Sequence, residues 1–422
     1  MREMKDSGIE WIGEIPKDWE ITKIGMLYNL RITKVSDTDY APLSVTKMGV
    51  LPQLETVAKT NAHDDRKLVK KGDFVINSRS DRRGSCGISD YYGSVSLINI
   101  VLEPKNNMSS GYYSCLFKTV QFADEFYKNG HGIVDDLWTT GWQDMKRIIL
   151  PVPHYSEQQQ IADYLDTKCS EIDATAEDIQ KEIDLLEDYK KSVITEVVTK
   201  GLNPDAEMKD SGIEWIGDIP KDWVTIRIGN IFSLRNERNY LPMEQVQLLS
   251  LYSGKGVFPT GEEGTTNSGN HAQTVADYKI VKRNDIVVNI ILAWMGSLGI
   301  SNYDGVVSPA YDVYIPDEEK VVPHYYHYVF RTSGIANECY RYGRGIMMMR
   351  WRTYSSEFKR IHVPFPSFDE QQQIADFLDT KCSEIDTLIA DKKRQLDILA
   401  DYKKSLIYEY VTGKKEVPVK DF

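Results

Sequence analysis

Seventeen residues of this chain occur twice with a single change. Residues 157–173 read EQQQIADYLDTKCSEID and residues 370–386 read EQQQIADFLDTKCSEID, so that only Tyr164 and Phe377 differ. Each copy opens a run in which apolar residues return at every seventh place. In the first run, Leu165, Ile172, Ile179, Leu186 and Val193 form one row, and Cys169, Ala176, Ile183 and Val197 form a second, broken by Lys190. In the second run, Leu378, Ile385, Leu399 and Leu406 stand beside Cys382, Ile389, Leu396 and Tyr410, broken by Lys392 and Lys403. Paired rows of this kind are the a/d seam of a coiled coil, and two seams in one chain can bury each other. A helix from residue 157 to about 200 would be roughly 65 Å long at 1.5 Å per residue, more than a globular core needs. The pattern predicts spacer helices; the plainer alternative is two unrelated amphipathic helices, each lying on its own domain.

A second repeat shows that the duplication spans the whole chain. Residues 4–19, MKDSGIEWIGEIPKDW, return at 208–223 as MKDSGIEWIGDIPKDW. Each copy runs from this tryptophan-bearing opening through a globular part to the long helix, and Gly201-Leu202-Asn203-Pro204-Asp205 separates the copies. The offset between copies grows from 204 to 213, which places the insertions inside the globular parts. The expected division is a first globular domain over 1–155, a helix over 156–203, a second domain over 204–368, a helix over 369–415 and a tail over 416–422.

The formal net charge of -12 is unevenly spread. Residues 20–150 and 224–366 are each +2, whereas residues 156–207 are -9 and residues 367–422 are -3. Acidic helix faces suit solvent or a basic protein partner, and the globular parts are free to present positive surface. Nothing has the apolar length of a membrane span, and residues 1–19 are too polar and acidic for a secretory signal, so a soluble cytoplasmic protein is expected. Five cysteines without a CxxC pair argue against a disulfide framework or a zinc ribbon. Cys169 and Cys382 fall on the seam, where a small buried thiol is the ordinary reading.

The globular parts read as α+β. Phe74-Val75-Ile76-Asn77 and Ile286-Val287-Val288-Asn289 follow turn signals as strands, and residues 111–127 and 324–340 have helical spacing. Each part leaves through Pro-x-Pro, at Pro151 and Pro153 or Pro364 and Pro366.

Comparing the chain with itself separates shared frame from variable tips. Residues 111–153 match residues 324–366 at only 17 of 43 positions, although the flanking repeats have hardly diverged. Gene conversion is one explanation; two different jobs is the other, with matched surfaces binding two copies of one partner and unlike surfaces recognising unlike things. Within a matched frame, Ser78, Arg79, Ser80, Asp81, Arg82 and Arg83 stand where the second copy has Ile290, Ile291, Leu292, Ala293, Trp294 and Met295, and Gly-Ser closes both. Arg79, Arg82 and Arg83 can fork onto guanine or hold phosphates, Ser78 and Ser80 can bond base edges or backbone, and Trp294 can meet a thymine methyl or wedge at a base step. A solvated charged turn is the rival for the arginines, and a buried strand is the expected reading of residues 290–292.

A second variable tip follows Gly130-His131-Gly132 and Gly343-Arg344-Gly345, with residues 134–137 opposite 347–350 and Trp138 opposite Trp351. Glycines on both sides of one residue permit close approach to a ligand, which makes His131, Arg344, Arg350 and Arg352 candidates for DNA contact; a plain glycine-bounded turn is the alternative. Lys146-Arg147 and Lys359-Arg360 match in both copies and suit a shared phosphate contact. Thr46, Lys47, Ser253 and Lys255 are weaker candidates of the same kind. No P-loop, no GxGxxG after a strand and no Asn-Pro-Pro-Tyr signature is found, and no nucleophile, base and orienter set assembles. His324 and His327 have i, i+3 spacing, but a Tyr-rich helix is a poor metal site.

Two variable domains, each passing through Lys-Arg-Ile and Pro-x-Pro into Glu-Gln-Gln-Gln-Ile-Ala-Asp at the head of a long helix, resemble a type I restriction-modification specificity subunit. The junction at residues 151–161 recurs at 364–374, and the resemblance covers essentially the whole chain. It implies an α+β chain with two α/β target-recognition domains in pseudo-twofold arrangement, separated by two long helices packed as an antiparallel coiled coil. It also implies a non-catalytic subunit in which each domain reads half of a bipartite asymmetric site on double-stranded DNA. The expected partners are two methyltransferase subunits using S-adenosylmethionine and restriction subunits using ATP and Mg, with no cofactor in this chain and no membrane. A methylation-only targeting subunit, a coiled-coil scaffold without DNA contact and, last, a chain that is itself a methyltransferase are the alternatives. Half-sites about one turn of DNA apart, roughly 34 Å, would suit two domains reading one groove face.

Overall fold

The computed structural model describes residues 2–53, 64–105, 108–132, 138–252, 256–261, 274–345 and 351–418. The chain divides into two compact units, Met1–Gln180 with Lys393–Phe422, and Lys181–Lys392. Each unit therefore combines one globular domain with part of both long helices, which run over Tyr155–Lys200 and Phe368–Val411.

The first domain is built on a four-stranded antiparallel sheet in the order Cys86–Ile88, Phe74–Asn77, Asn99–Pro104, Tyr28–Leu30. Strand alternation gives it two dry faces. Phe74, Ile76, Ile100 and Leu102 face a large core with the helices Ser110–Phe117 and Val120–Lys128, while Val75 and Val101 join Leu43, Val50, Val69 and Val95 in a smaller core. The second domain repeats this order with Leu298–Ile300, Ile286–Asn289, Tyr311–Pro316 and Phe232–Leu234. Ile286, Val288 and Tyr314 face its large core, and Val287 and Val313 its small one. The architecture is the α+β class expected.

Each stretch of helical spacing is two helices rather than one. The break falls at Thr119, whose hydroxyl accepts from Phe122 N and donates to the Leu116 carbonyl, and at Thr332, whose hydroxyl donates to the Val329 carbonyl. Thr119 thus satisfies the end of one helix and the start of the next, whereas the Thr332 hydroxyl serves only the end of the first.

The seam residues are turned inward. Leu165, Ile183, Leu378, Ile385 and Leu406 are buried, and Ile172, Ile179, Leu186, Val193 and Leu399 are half-buried. In the first unit Tyr164 and Asp173 meet Tyr410 and Lys403, and in the second Glu182 and Lys190 meet Lys392 and Asp386. Rising numbers on one helix meet falling numbers on the other, so within each unit the helix segments run antiparallel. The lysines that interrupt the seams are the ones that bridge it: Lys403 Nζ lies 2.6 Å from Asp173 and Lys190 Nζ 2.6 Å from Asp386.

The reading of two unrelated helices, each on its own domain, does not hold. Leu406, Tyr410 and Val411, from the end of the second long helix, enter the core of the first domain. Ile194, Val197 and Val198, from the end of the first, enter the core of the second. Buried tyrosines fix both ends: Tyr112 O–H donates to the Val411 carbonyl at 2.7 Å, and Tyr325 O–H to the Val198 carbonyl at 3.0 Å.

Much of the near-identity of the repeats serves this packing. Trp19 Nε1 donates to Glu157 at 2.9 Å and Trp223 Nε1 to Glu370 at 2.8 Å, tying each opening repeat to the head of a long helix. Next to them, buried Gln158 accepts from Ser109 N and donates to the Pro153 carbonyl, and buried Gln371 accepts from Val322 N and donates to the Pro366 carbonyl. A buried amide that meets backbone groups on two elements is costly to replace, because any substitute strands those groups. Lys5, Glu10, Lys17 and Asp18 of the opening repeat remain exposed or near the surface.

Candidate nucleic-acid interface

In each domain the segments that flank the second variable tip lie beside the first. In the first domain Arg79 and His131 each form a backbone bridge with Thr139, and Thr140 N donates to the Ser78 carbonyl at 3.0 Å. In the second, Arg344 bridges Arg352 and Thr353 N donates to the Ile290 carbonyl at 2.9 Å. Segments about 50 to 60 residues apart in sequence thus form one surface in each domain. Gly84 and Gly296 close the first tips at φ of 75° and 77°, a left-handed conformation that a side chain disfavours.

In the first domain the tip is a short 3₁₀ turn over Ser80–Arg82. Arg79 Nε is 3.3 Å and Arg82 Nε 3.8 Å from Asp81, while Arg83 pairs with Asp124 and lies over the Tyr127 ring at 5.9 Å. The Ser78 hydroxyl donates internally to the Ile98 carbonyl at 2.6 Å. Ser80 lies within the turn.

In the second domain residues 290–292 form a turn, not the buried strand expected. The strand ends at Asn289, whose side-chain oxygen accepts from Ile291 N and Leu292 N and so bends the chain away. Ile290 and Ile291 are half-buried, and Leu292 and Met295 are exposed. Trp294 is half-buried, donates its indole N–H to the Ile291 carbonyl at 3.0 Å and packs on Tyr340 at 6.0 Å between ring centroids. Tyr340 in turn stacks on Trp351.

The leading glycine of each Gly-x-Gly serves the fold. A Cβ on Gly130 would fall 2.5 Å from the Trp138 indole nitrogen, and one on Gly343 2.3 Å from that of Trp351. Trp138 and Trp351 then donate to the Tyr127 and Tyr340 carbonyls. The residue between the glycines points outward onto an acid of its own domain. His131 Nε2 is 3.3 Å from Asp144, and Arg344 Nη2 is 2.6 Å from Glu357. Glu357 is recessed, and its carboxyl is held below the ordinary value by the Ser356 hydroxyl and by the charges of Arg344 and Arg360.

Lys146 and Lys359 are fixed through their backbones. Their carbonyls accept from Gly25 N and Gly229 N at 3.0 Å, and a Cβ on either glycine would crowd theirs at 3.2 and 3.0 Å. Arg147 and Arg360 are exposed, with Arg360 over the Tyr342 ring at 5.7 Å. Thr46 lies at the end of the Leu43–Thr46 hairpin strand, its hydroxyl donating to the Gly49 carbonyl, and Lys47 and Met48 are exposed at the tip. Arg352 is exposed. Ser253, Lys255, Arg350 and the tip segments 134–137 and 347–350 lie outside the described residues. His324 pairs with Asp379 and His327 is buried, and among the described residues no three His, Cys, Asp or Glu side chains gather as a metal site. No described helix is long and apolar enough to cross a membrane.

The acids beneath the tips, Asp124, Asp144 and Glu357, were not marked by sequence reasoning. Their signal was present: Asp144 and Glu357 are aligned, chemically alike positions beneath the variable His131 and Arg344.

This arrangement of two framed, unlike tips on a duplicated chain is that of the type I restriction modification DNA specificity family, to which the chain belongs. The family's domain matches residues 16–185 and again residues 220–397. The chain is a specificity subunit with two DNA-recognition domains. It is 24% identical to the putative type I restriction enzyme MjaX specificity subunit of Methanocaldococcus jannaschii over 96% of both chains. It is also 24% identical to that organism's MjaVIII specificity subunit, over 96% of this chain and 94% of the relative. Among solved structures, a chain from a type I R-M system shares the fold with a TM-score of 0.67 at 11% identity, over 95% of this chain and 99% of that one. The HsdS subunit from Thermoanaerobacter tengcongensis does so with a TM-score of 0.51 at 12% identity, over 95% and 98%.

Proposed function

We propose that each domain reads one half of a bipartite, asymmetric target on double-stranded DNA through its pair of joined tips, and that the chain itself performs no covalent chemistry. The observation that carries this reading is the hydrogen bond that joins the flank of the second variable tip to the first, Thr140 to Ser78 and Thr353 to Ile290, inside frames the two domains share. A surface varied as a unit on a fixed support is what sequence selection needs.

In this reading Arg79, Arg82, Arg83 and His131 act in the first domain, and Trp294, Met295, Arg344 and Arg352 in the second. Arg147, Arg360 and Lys47 hold phosphates. Two copies of an adenine methyltransferase subunit dock on the matched repeats and supply S-adenosylmethionine chemistry, and restriction subunits supply ATP- and Mg-dependent cleavage in the cytoplasm. The test is a gel shift of the chain assembled with its methyltransferase partner, at rising salt. Phosphate contacts release counterions, so affinity should fall steeply with salt while one sequence stays preferred. Salt-independent or absent binding would leave a scaffold.

A further inference from the structure

Several basic side chains at the recognition tips meet acids of their own domain, and one such pair occurs at the same place in both. His131 and Arg344 occupy aligned positions between glycines, and Asp144 and Glu357 occupy aligned positions on the short helices Trp142–Met145 and Ser355–Phe358. Both members differ between the domains, yet basic still faces acidic at 3.3 Å and 2.6 Å. Exposure is lopsided in the same sense: His131 is 78% exposed over Asp144 at 24%, and Arg344 70% over Glu357 at 9%. Each acid is rooted in the frame, because the residue two places on, Lys146 or Lys359, is clamped against Gly25 or Gly229.

We infer that Asp144 and Glu357 are positioning residues for sequence selection, an inference that rests on the DNA-reading function proposed above. A guanidinium on a flexible chain sweeps a wide arc and meets any phosphate within reach. One tethered from beneath by a carboxylate keeps its free N–H groups aimed outward, and its charge toward the backbone is partly neutralised. The pair therefore favours a base edge in the right place over general attraction to DNA. Arg83 also pairs with an acid, Asp124, on the neighbouring tip of the first domain, but there both partners are about equally exposed.

The experiment uses the chain assembled with its methyltransferase partner and four duplexes: the target, the target with the half-site of the second domain scrambled, the target with the half-site of the first domain scrambled, and an unrelated sequence. In Glu357→Gln, preference for target over scrambled duplex should fall about tenfold, the size of one good base contact. Affinity for the unrelated duplex should rise, with a salt dependence steeper by about one phosphate contact. Glu357→Asp should restore much of the preference, and Asp144→Asn should relax only the other half-site. Asp144 is more exposed, so its variant decides the matter if Glu357→Gln does not fold. Unchanged discrimination in folded variants, or equal loss at both half-sites, overturns the inference while the wild type still selects its target. A wild-type assembly without any preference overturns the DNA-reading function itself.

Discussion

Tyr112 and Val411 lie 299 positions apart in sequence, and the phenol of the first donates to the carbonyl of the second at 2.7 Å. Tyr325 and Val198 repeat the bond in the other unit. Both phenols are buried, and both carbonyls stand in the last turn of a long helix, where helix geometry supplies no donor. Tyr112→Phe and Tyr325→Phe should each lower stability by about 1–2 kcal/mol, because each strands a carbonyl. Denaturant unfolding of the whole chain checks this, and unchanged midpoints would mean the bonds do not hold the helix ends.

The bridging lysines give a second prediction. Lys190 is largely covered while Asp386 is exposed, so the pair should contribute about 0.5–1 kcal/mol, near the upper end for surface ion pairs. Lys190→Asp should destabilise, and adding Asp386→Lys should recover most of the loss. A double-mutant cycle measures the coupling, and additivity of the two changes would contradict it.

Acid should weaken the second unit through His327. Burial, then the charge of Arg331, neighbouring His324 and Lys190, pulls its imidazole down to about 3 from 6.5. The folded form resists a proton that the unfolded chain accepts. Stability is therefore full above about pH 6.5 and falls with acid at about 1.4 kcal/mol per pH unit until about pH 3. The aligned residue of the first domain is Ser114. Unfolding of wild type and His327→Ser compared between pH 7 and pH 4 should show the wild type losing more. Parallel curves would contradict the assignment.

Sequence period made the long helices legible, and self-comparison made the tips legible. The seam rows proved to be the inward face, and the lysines that break the pattern are its cross-helix bridges. What stayed hidden depends on partners without local period. Nothing near Trp19 points to Glu157, 138 residues away, and nothing near Lys146 points to Gly25. The turn at residues 290–292 was misread because its apolar run resembles a strand; the Asn289 side chain, not hydropathy, bends it. Matches between copies therefore mix two causes, internal packing as at Gln158 and Gln371, and exposed positions such as Lys17 and Lys221.

Charge on the first long helix should govern assembly and not sequence choice. Asp163 and Asp166 are exposed within the 17-residue repeat. Asp163→Lys with Asp166→Lys should weaken binding of the methyltransferase partner roughly tenfold, through lost electrostatic complementarity. The loss should be the same for every duplex tested, as calorimetry of partner binding would register. A loss that depended on DNA sequence would contradict this division of labour.

The central claim is that each domain reads its own half of the target. Its most direct test is methylome sequencing of a host carrying the chain with residues 78–83 replaced by those of a related subunit. One half of the methylated motif should change while the other half stays. Change in both halves, or in neither, would contradict the account.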